Sequence, residues 1–332
     1  MNRRLSQVAY GLLLAGELRS ILKVLADHDI EVIPLKGPFL SQYLYNDLVS
    51  RPSTDIDILV RPQNVFKAGG ILKNFGYVEK VELDQRGRKE LFRKHYNYKL
   101  VHKHYGVPLE IHWKLTPAHV QVSPFVDKMW DESYATTFLD VPTLTLTPEN
   151  LLLSLCIHLA AHCYGGGAQK KWITDIAKIL EQTEELDLSN TIEIAEKLGI
   201  KRIVLLCLVL SKKECGISLP KFVEDLLLRE QIVVSLANKV LESKFQKNKV
   251  ELTYFETSVF YFKMRERLND RLPYIRYVLK KMIELRAVNH LSLFNFPAGS
   301  VLKYALSPFV LPAKVIVSPR ASLRVFLSFF SS

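Results

Sequence analysis

Apolar positions along the first 28 residues recur at helical spacing. Leu5, Val8, Leu12, Ala15, Leu18, Leu22 and Leu25 form one stripe over residues 5–28, which predicts an N-terminal helix. Ile30 to Leu35 then reads as a short strand, broken at Lys36-Gly37, and Pro38 suits the first turn of a helix continuing to Asp47. Arg51-Pro-Ser-Thr is a loop. From Thr54 to Val60 the pattern alternates: Ile56, Ile58 and Val60 fall on one face of a strand, and Asp55 and Asp57 on the other. A helix is expected over Gln63–Asn74, with Gly76 ending it. Phe92–Leu115 reads as a hairpin turning at Tyr105-Gly106, its second arm alternating Val107, Leu109 and Ile111 against Pro108, Glu110 and His112.

Past Thr147 the period changes. Thr147-Pro148-Glu149 is a helix start, with threonine as cap and proline in first position. Helical patterns follow over 149–164, 170–183, 189–198, 201–214, 220–245 and 251–288, and Gly165-Gly-Gly167 reads as a flexible connection. The expected class is therefore α+β. A small mixed-sheet domain with an N-terminal helix fills residues 1–147. An all-helical domain fills 148–332 and ends in a basic, partly irregular tail.

Composition narrows the function class by exclusion. Of 332 residues, 48% are hydrophobic and 24% charged, as in an ordinary globular protein rather than a disordered or fibrous one. Cys156, Cys163, Cys207 and Cys215 are too few and too scattered for a disulfide scaffold and form no C-x-x-C pair, so buried free thiols in a reducing compartment are expected. The net charge of +11 suits an anionic partner. It is concentrated late: from Glu251 onward there are 12 basic and 5 acidic residues. The early apolar run from Val8 to Ala15 is cut by Glu17 and Arg19, against a secretory leader. Lys303, Lys314, Arg320 and Arg324 interrupt the apolar tail, so no transmembrane span is expected, and a cytoplasmic location is. Peripheral contact of that tail with a membrane surface is the residual expectation.

The sharpest chemical feature is Asp55-Ile-Asp57. Residues i and i+2 of a strand share a side, so the two carboxylates stand together and repel unless a cation sits between them. Mg²⁺ fits, since it binds carboxylate oxygens while keeping positions open for water and phosphates. Upstream, Lys36 and Gly37 end a strand where a cation and backbone N–H groups can receive phosphate. Arg51 offers a planar guanidinium, with Ser53 beside it, and Glu110 stands on the polar face of a later strand. His112 shares that face. His158 and His162 lie one turn apart on a helix, with Asp175 beyond them near Trp172.

The run Leu35-Lys-Gly37, Arg51-Pro-Ser-Thr-Asp55-Ile-Asp57-Ile-Leu-Val60, Gly76-Tyr77 and Glu110-Ile-His-Trp113 resembles the nucleotidyltransferase superfamily with the DNA polymerase β-like fold. It is most similar to a bacterial branch labelled uncharacterised nucleotidyltransferase, whose helical half is similar to the region of His158, His162, Trp172 and Asp175. The resemblance spans roughly residues 20–180. It implies that Asp55, Asp57 and Glu110 bind two Mg²⁺ ions, with Glu110 the third acid that activates the attacking hydroxyl. It implies further that Gly37 holds the triphosphate turn, with Lys36, Arg51 and Ser53 as further nucleotide ligands. His112, His158, His162 and Asp175 are candidates for the acceptor side. Pro38 stands where the superfamily has serine, which removes one hydroxyl and one N–H, and the Gly37–Asp55 gap is longer than in the wider superfamily.

The implied activity is transfer of an NMP from an NTP, with ATP the expected donor, to a hydroxyl of a small molecule, sugar or peptide. Two alternatives stay open. One is a degenerate module that binds a nucleotide or partner without turnover, which Pro38 favours. The other is an enzyme modifying nucleic-acid ends, which would use the basic final quarter.

Overall fold

The computed structural model describes residues 3–272 and 275, except residues 80, 117–121, 123, 124, 164–167 and 246–253. The first half builds a five-stranded mixed sheet from β1 (Val32–Pro34), β2 (Ile56–Val60), β3 (Tyr77–Glu79), β4 (Asn97–His102) and β5 (Pro108–His112). The spatial order is β1-β2-β5-β4-β3, with β2 and β5 parallel and every other pairing antiparallel. One face packs on α1 (Arg3–Ala26) and α3 (Val65–Lys73), burying Leu14, Leu18, Leu25, Ile56, Ile58, Val60, Ala68 and Leu72 together. The stripe expected on the first helix is correct in its second half only. Val8 and Leu12 are 37% and 52% exposed, while Leu14 and Ile21 are buried.

Between the first two strands lies α2 (Gly37–Tyr45), with proline in its first turn as expected. Besides a short 3-10 turn at Pro62–Asn64, four further elements belong to the first half among the described residues. Two are helices, α4 (Gln85–Lys94) and α5 (Phe125–Asp131). The other two, β6 (Tyr134–Phe138) and β7 (Val141–Thr145), pair as a hairpin. The expected strand from Phe92 is corrected: Asp84 caps α4 by accepting a hydrogen bond from the Gly87 N–H, and the ladder begins at Asn97. The expected turn at Tyr105-Gly106 is present, with Gly106 at φ +66°.

The helical half comprises α6 (Pro148–His162), α7 (Lys170–Gln182), α8 (Leu188–Leu198), α9 (Lys201–Cys215), α10 (Lys221–Arg229), α11 (Gln231–Phe245) and α12 (Tyr254–Met264). Thr147 caps α6, accepting from the Asn150 N–H. The single helix expected over 220–245 is two, because Glu230 leaves helical geometry at φ −110°, ψ 53°. The pattern expected over 251–288 appears as α12, and residues 276–332, with the tail's expected membrane contact, lie outside the described residues, as does Gly165-Gly-Gly167. Among the described residues no helix is long and apolar enough to cross a membrane. Three of the four thiols are buried, but Cys215 is exposed.

One feature of the packing positions the site. Ile33, Leu35, Leu40, Leu44 and Leu59 of the sheet half belong to the same hydrophobic cluster as α6, α7 and α9. Leu59 and Asp57 share a face of β2, so the acidic face is the one the helical half covers.

Candidate active site

Strand pairing brings the acids together. Asp57 and Glu110 are register partners on parallel β2 and β5, so their side chains stand side by side on one face. Ligand atoms of Asp57, Glu110 and His112 all lie within 4.8 Å of one another. Asp55 precedes β2 by one residue and is half-buried. Its carboxylate accepts a hydrogen bond from Thr54 and has no ion pair among the described residues. Burial, followed by the charge of Asp57, raises the Asp55 carboxyl above its usual range.

Asp57 is 4% exposed and is held from two sides. His112 Nε2 lies 2.8 Å from Oδ1, and Lys36 Nζ lies 3.3 Å from Oδ2. Burial opposes its ionisation, yet Lys36 and the His112 hydrogen bond outweigh that penalty and hold the carboxyl well below the usual range. Glu110 receives Lys99 Nζ at 2.6 Å and a hydrogen bond from the Asn97 amide. Burial raises it, but His112 and Lys99 bring it down to about 2. His112 is itself buried, which lowers it, but its bonds to Asp57 and Glu110 raise it overall. Its other nitrogen faces the Lys114 carbonyl at 3.3 Å, so both ring nitrogens face acceptors. His112 therefore acts here as a donor that orients Asp57. The oxygens of Asp55, Asp57 and Glu110 are the hard ligands that suit a divalent cation such as Mg²⁺.

The glycine turn abuts these acids. The Leu35 N–H donates to the Asp57 carbonyl at 3.0 Å, which carries the β1–β2 ladder up to Lys36. Gly37 then adopts φ +69°, and a Cβ there would lie 3.3 Å from the Asp55 carbonyl oxygen. Only glycine takes that conformation without strain, so the turn sits against the acidic strand.

The long interval from Gly37 to Asp55 is α2 plus a loop pinned along its length. The Asp47 carboxylate accepts from the Val49 and Ser50 N–H groups, and Ser41 Oγ donates to the Asp47 carbonyl while accepting from the Arg51 N–H. Arg51 is buried: Nε reaches both oxygens of Asp175, at 3.0 and 2.8 Å, and Nη1 reaches Ser53 Oγ at 3.0 Å. Asp175 on α7 is fully buried and also accepts from the Tyr45 hydroxyl at 2.9 Å. Burial pushes Asp175 up, and Arg51 and Tyr45 only partly offset that. Lys171 Nζ donates to the Pro52 carbonyl at 3.1 Å, and the Tyr10 hydroxyl to the Thr54 carbonyl at 3.1 Å. Beside this loop, a cavity of about 680 Å³ is bounded by α1 residues such as Ser6 and Tyr10, by Pro38, and by Ser50, Ser53 and Thr54.

From the helical half, His158 Nδ1 lies 3.3 Å from Lys36 Nζ, and His158, His162 and Trp172 form a ring cluster with centroids 4.7 to 5.6 Å apart. Burial and then Lys36 lower both imidazoles, His158 the more strongly. Sequence reasoning named neither Lys171, Lys99, Asn97 nor Tyr45 as part of this constellation. Only Lys99 and Asn97 had a signal, as β4 residues across the ladder from Glu110 and His112.

Comparison with known proteins decides the lineage. The profile of a family described as uncharacterised nucleotidyltransferase matches residues 2–215, nearly two thirds of the chain and the whole of the constellation above. The chain belongs to this nucleotidyltransferase family. The antibiotic-resistance factor ANT(2'')-Ia, known from its solution structure, is similar with 11% identity and a TM-score of 0.39, over 55% of this chain and 89% of that one. An antigenic nucleotidyltransferase-like protein from Paracoccidioides brasiliensis is similar with 17% identity and a TM-score of 0.33, over 55% of this chain and 88% of that one. No curated protein matches the chain. As a nucleotidyltransferase this chain is an enzyme acting on a nucleotide, and its expected α+β architecture with a helical C-terminal region is the one observed.

Proposed function

We propose that the enzyme moves an NMP from an NTP, with ATP as donor, to a hydroxyl of a small molecule, sugar or peptide in a Mg²⁺-dependent reaction. The observation that carries this reading is the convergence of Asp57 and Glu110, side by side on paired strands, with Asp55 at the mouth of the same face beside the Gly37 turn. Bound divalent ions supply charge neutralisation at the attacking and leaving oxygens.

The chain's own residues do the rest by positioning. Asp55, Asp57 and Glu110 offer the oxygen ligands, and His112 fixes the orientation of Asp57. Glu110, beside Asp57 on the paired strand, is the third acid, which would help hold a metal ion and assist deprotonation of the acceptor hydroxyl. Lys36 sits on Asp57 through a long, flexible stem. With a divalent cation held by Asp57, the Lys36 ammonium would be free to turn to the phosphates. Arg51 and Asp175 hold the loop that aims Ser53 and Asp55. The cavity walled by α1 and residues 47–54 has hydroxyl-bearing walls and no unpaired cation among the described residues, which suits an uncharged group such as a nucleoside or a polyhydroxylated acceptor. His158 and His162 stand near Lys36 from the helical half and are the proposed acceptor-side residues. In the reaction the acceptor oxygen bonds to the α-phosphorus, the bond from that phosphorus to pyrophosphate breaks, and the hydroxyl proton passes to solvent.

The test is incubation with α-labelled NTPs, Mg²⁺ and a metabolite extract. Labelled acceptor and pyrophosphate are expected, and Asp57→Asn should abolish transfer while leaving the unfolding transition cooperative. A folded Asn variant with an equal rate would sink the proposal. Label on the protein itself would point to side-chain hydroxyls as acceptors.

A further inference from the structure

The cations around the acidic face differ in how they are employed. Lys36 is on Asp57 and His158, Arg51 on Asp175 and Ser53, and Lys99 on Glu110. Lys171, in the first turn of α7, is different. Its ammonium donates to the Pro52 carbonyl at 3.1 Å and makes no ion pair with a carboxylate among the described residues. Pro52 is three residues before Asp55, so this ammonium stands at the edge of the acidic face. An ammonium has three donors, and one backbone carbonyl leaves two for a ligand. The group is half-buried, so its charge is incompletely solvated, and burial followed by the like charge of Arg51 destabilises the cation further. A cation in that state gains most from a multiply charged anion.

The other side of the turn is short of donors. Pro38 in the first turn of α2 has no N–H, so that helix end presents fewer groups to an anion than an ordinary helix end does. Lys36 and Lys171 both act on Asp55 electrostatically, one from the strand end and one from α7, and so bracket the path to the carboxylates.

We infer that Lys171 is a phosphate-binding residue that grips the phosphate chain of the nucleotide donor. This rests on the proposed function above. A rival role is purely architectural, with Lys171 tethering the loop through Pro52. Isothermal titration of the full-length protein with Mg·ATP and with adenosine separates the two. Lys171→Met should weaken ATP binding about 10-fold to 100-fold, the scale of one charged hydrogen bond, and leave adenosine binding within twofold. Lys171→Arg should restore most of the ATP affinity, because it keeps the charge. Loss of a tether alone would instead weaken both ligands alike and lower the unfolding midpoint, and that result would overturn the inference. If the wild-type enzyme transfers label and Lys171→Met keeps the full preference for ATP over adenosine, the inference fails while the nucleotidyl-transfer reading stands. If the wild type shows no such preference and no NTP supports transfer, both fall.

Discussion

Arg51 and Asp175 are 124 residues apart in sequence and meet where neither sees water. Removing one partner strands the other. Asp175→Ala leaves a guanidinium that is 4% exposed without its carboxylate and a Tyr45 hydroxyl without its acceptor. Breaking a buried pair in this way costs about 3–5 kcal/mol. At about 1.4 °C per kcal/mol for a chain of 332 residues, that is a fall of roughly 4–7 °C in midpoint. Arg51→Met should cost a similar amount, because it leaves the Asp175 carboxyl buried without its cation. The double variant Arg51→Met, Asp175→Leu should not cost the sum. Burial already pushes the Asp175 carboxyl above its usual range, so ionising it detracts from stability as pH rises through that range. Replacing both groups with apolar side chains removes that penalty together with the attraction, and the double variant should lie within about 2 kcal/mol of wild type. Urea unfolding of the four proteins gives the coupling energy directly. Single-variant costs that add to within about 0.5 kcal/mol would refute the argument. So would a double variant less stable than either single one.

Two further outcomes follow from the geometry. Gly37→Ala should lower stability by about 1–2 kcal/mol, because φ is +69°, whereas Gly70→Ala on the open face of α3, where an added Cβ meets nothing, should raise it by roughly 0.5–1 kcal/mol; thermal unfolding reads both. Glu110 is held at about 2 against an ordinary 4.5, so its contribution is present above pH 4.5 and lost as pH falls toward 2. The stability gap between wild type and Glu110→Gln should therefore narrow across that window in metal-free buffer, and a constant gap would contradict the assignment.

What could be read from the chain divides along physical lines. The strand Ile56–Val60, the Gly37 turn and the Thr147 cap were legible because each depends on residues a few positions apart. The β6–β7 hairpin was not, since its turn is Leu139-Asp140, and a leucine rather than a glycine or asparagine takes the positive φ, +54°. The helix Gln85–Lys94 was missed because it is largely solvated. It packs only through half-buried groups such as Phe92, which stacks on Trp113 at 4.4 Å, so its pattern had no apolar stripe to show. In the site, the carboxylates were visible as a local motif. The burial of Arg51 by Asp175 and the reach of Lys36 to His158 were not, because contacts across more than 100 residues leave no periodic trace.

The cluster that joins Ile33, Leu35 and Leu59 to the long helices also limits how this enzyme can breathe. Swinging the two halves apart like a clamshell would wet that shared oil, so traffic into and out of the cleft has to be handled by smaller parts. A lysine that swivels is light enough to move on each turnover, while the frame behind it, with the loop that Arg51 and Asp175 pin, stays shut.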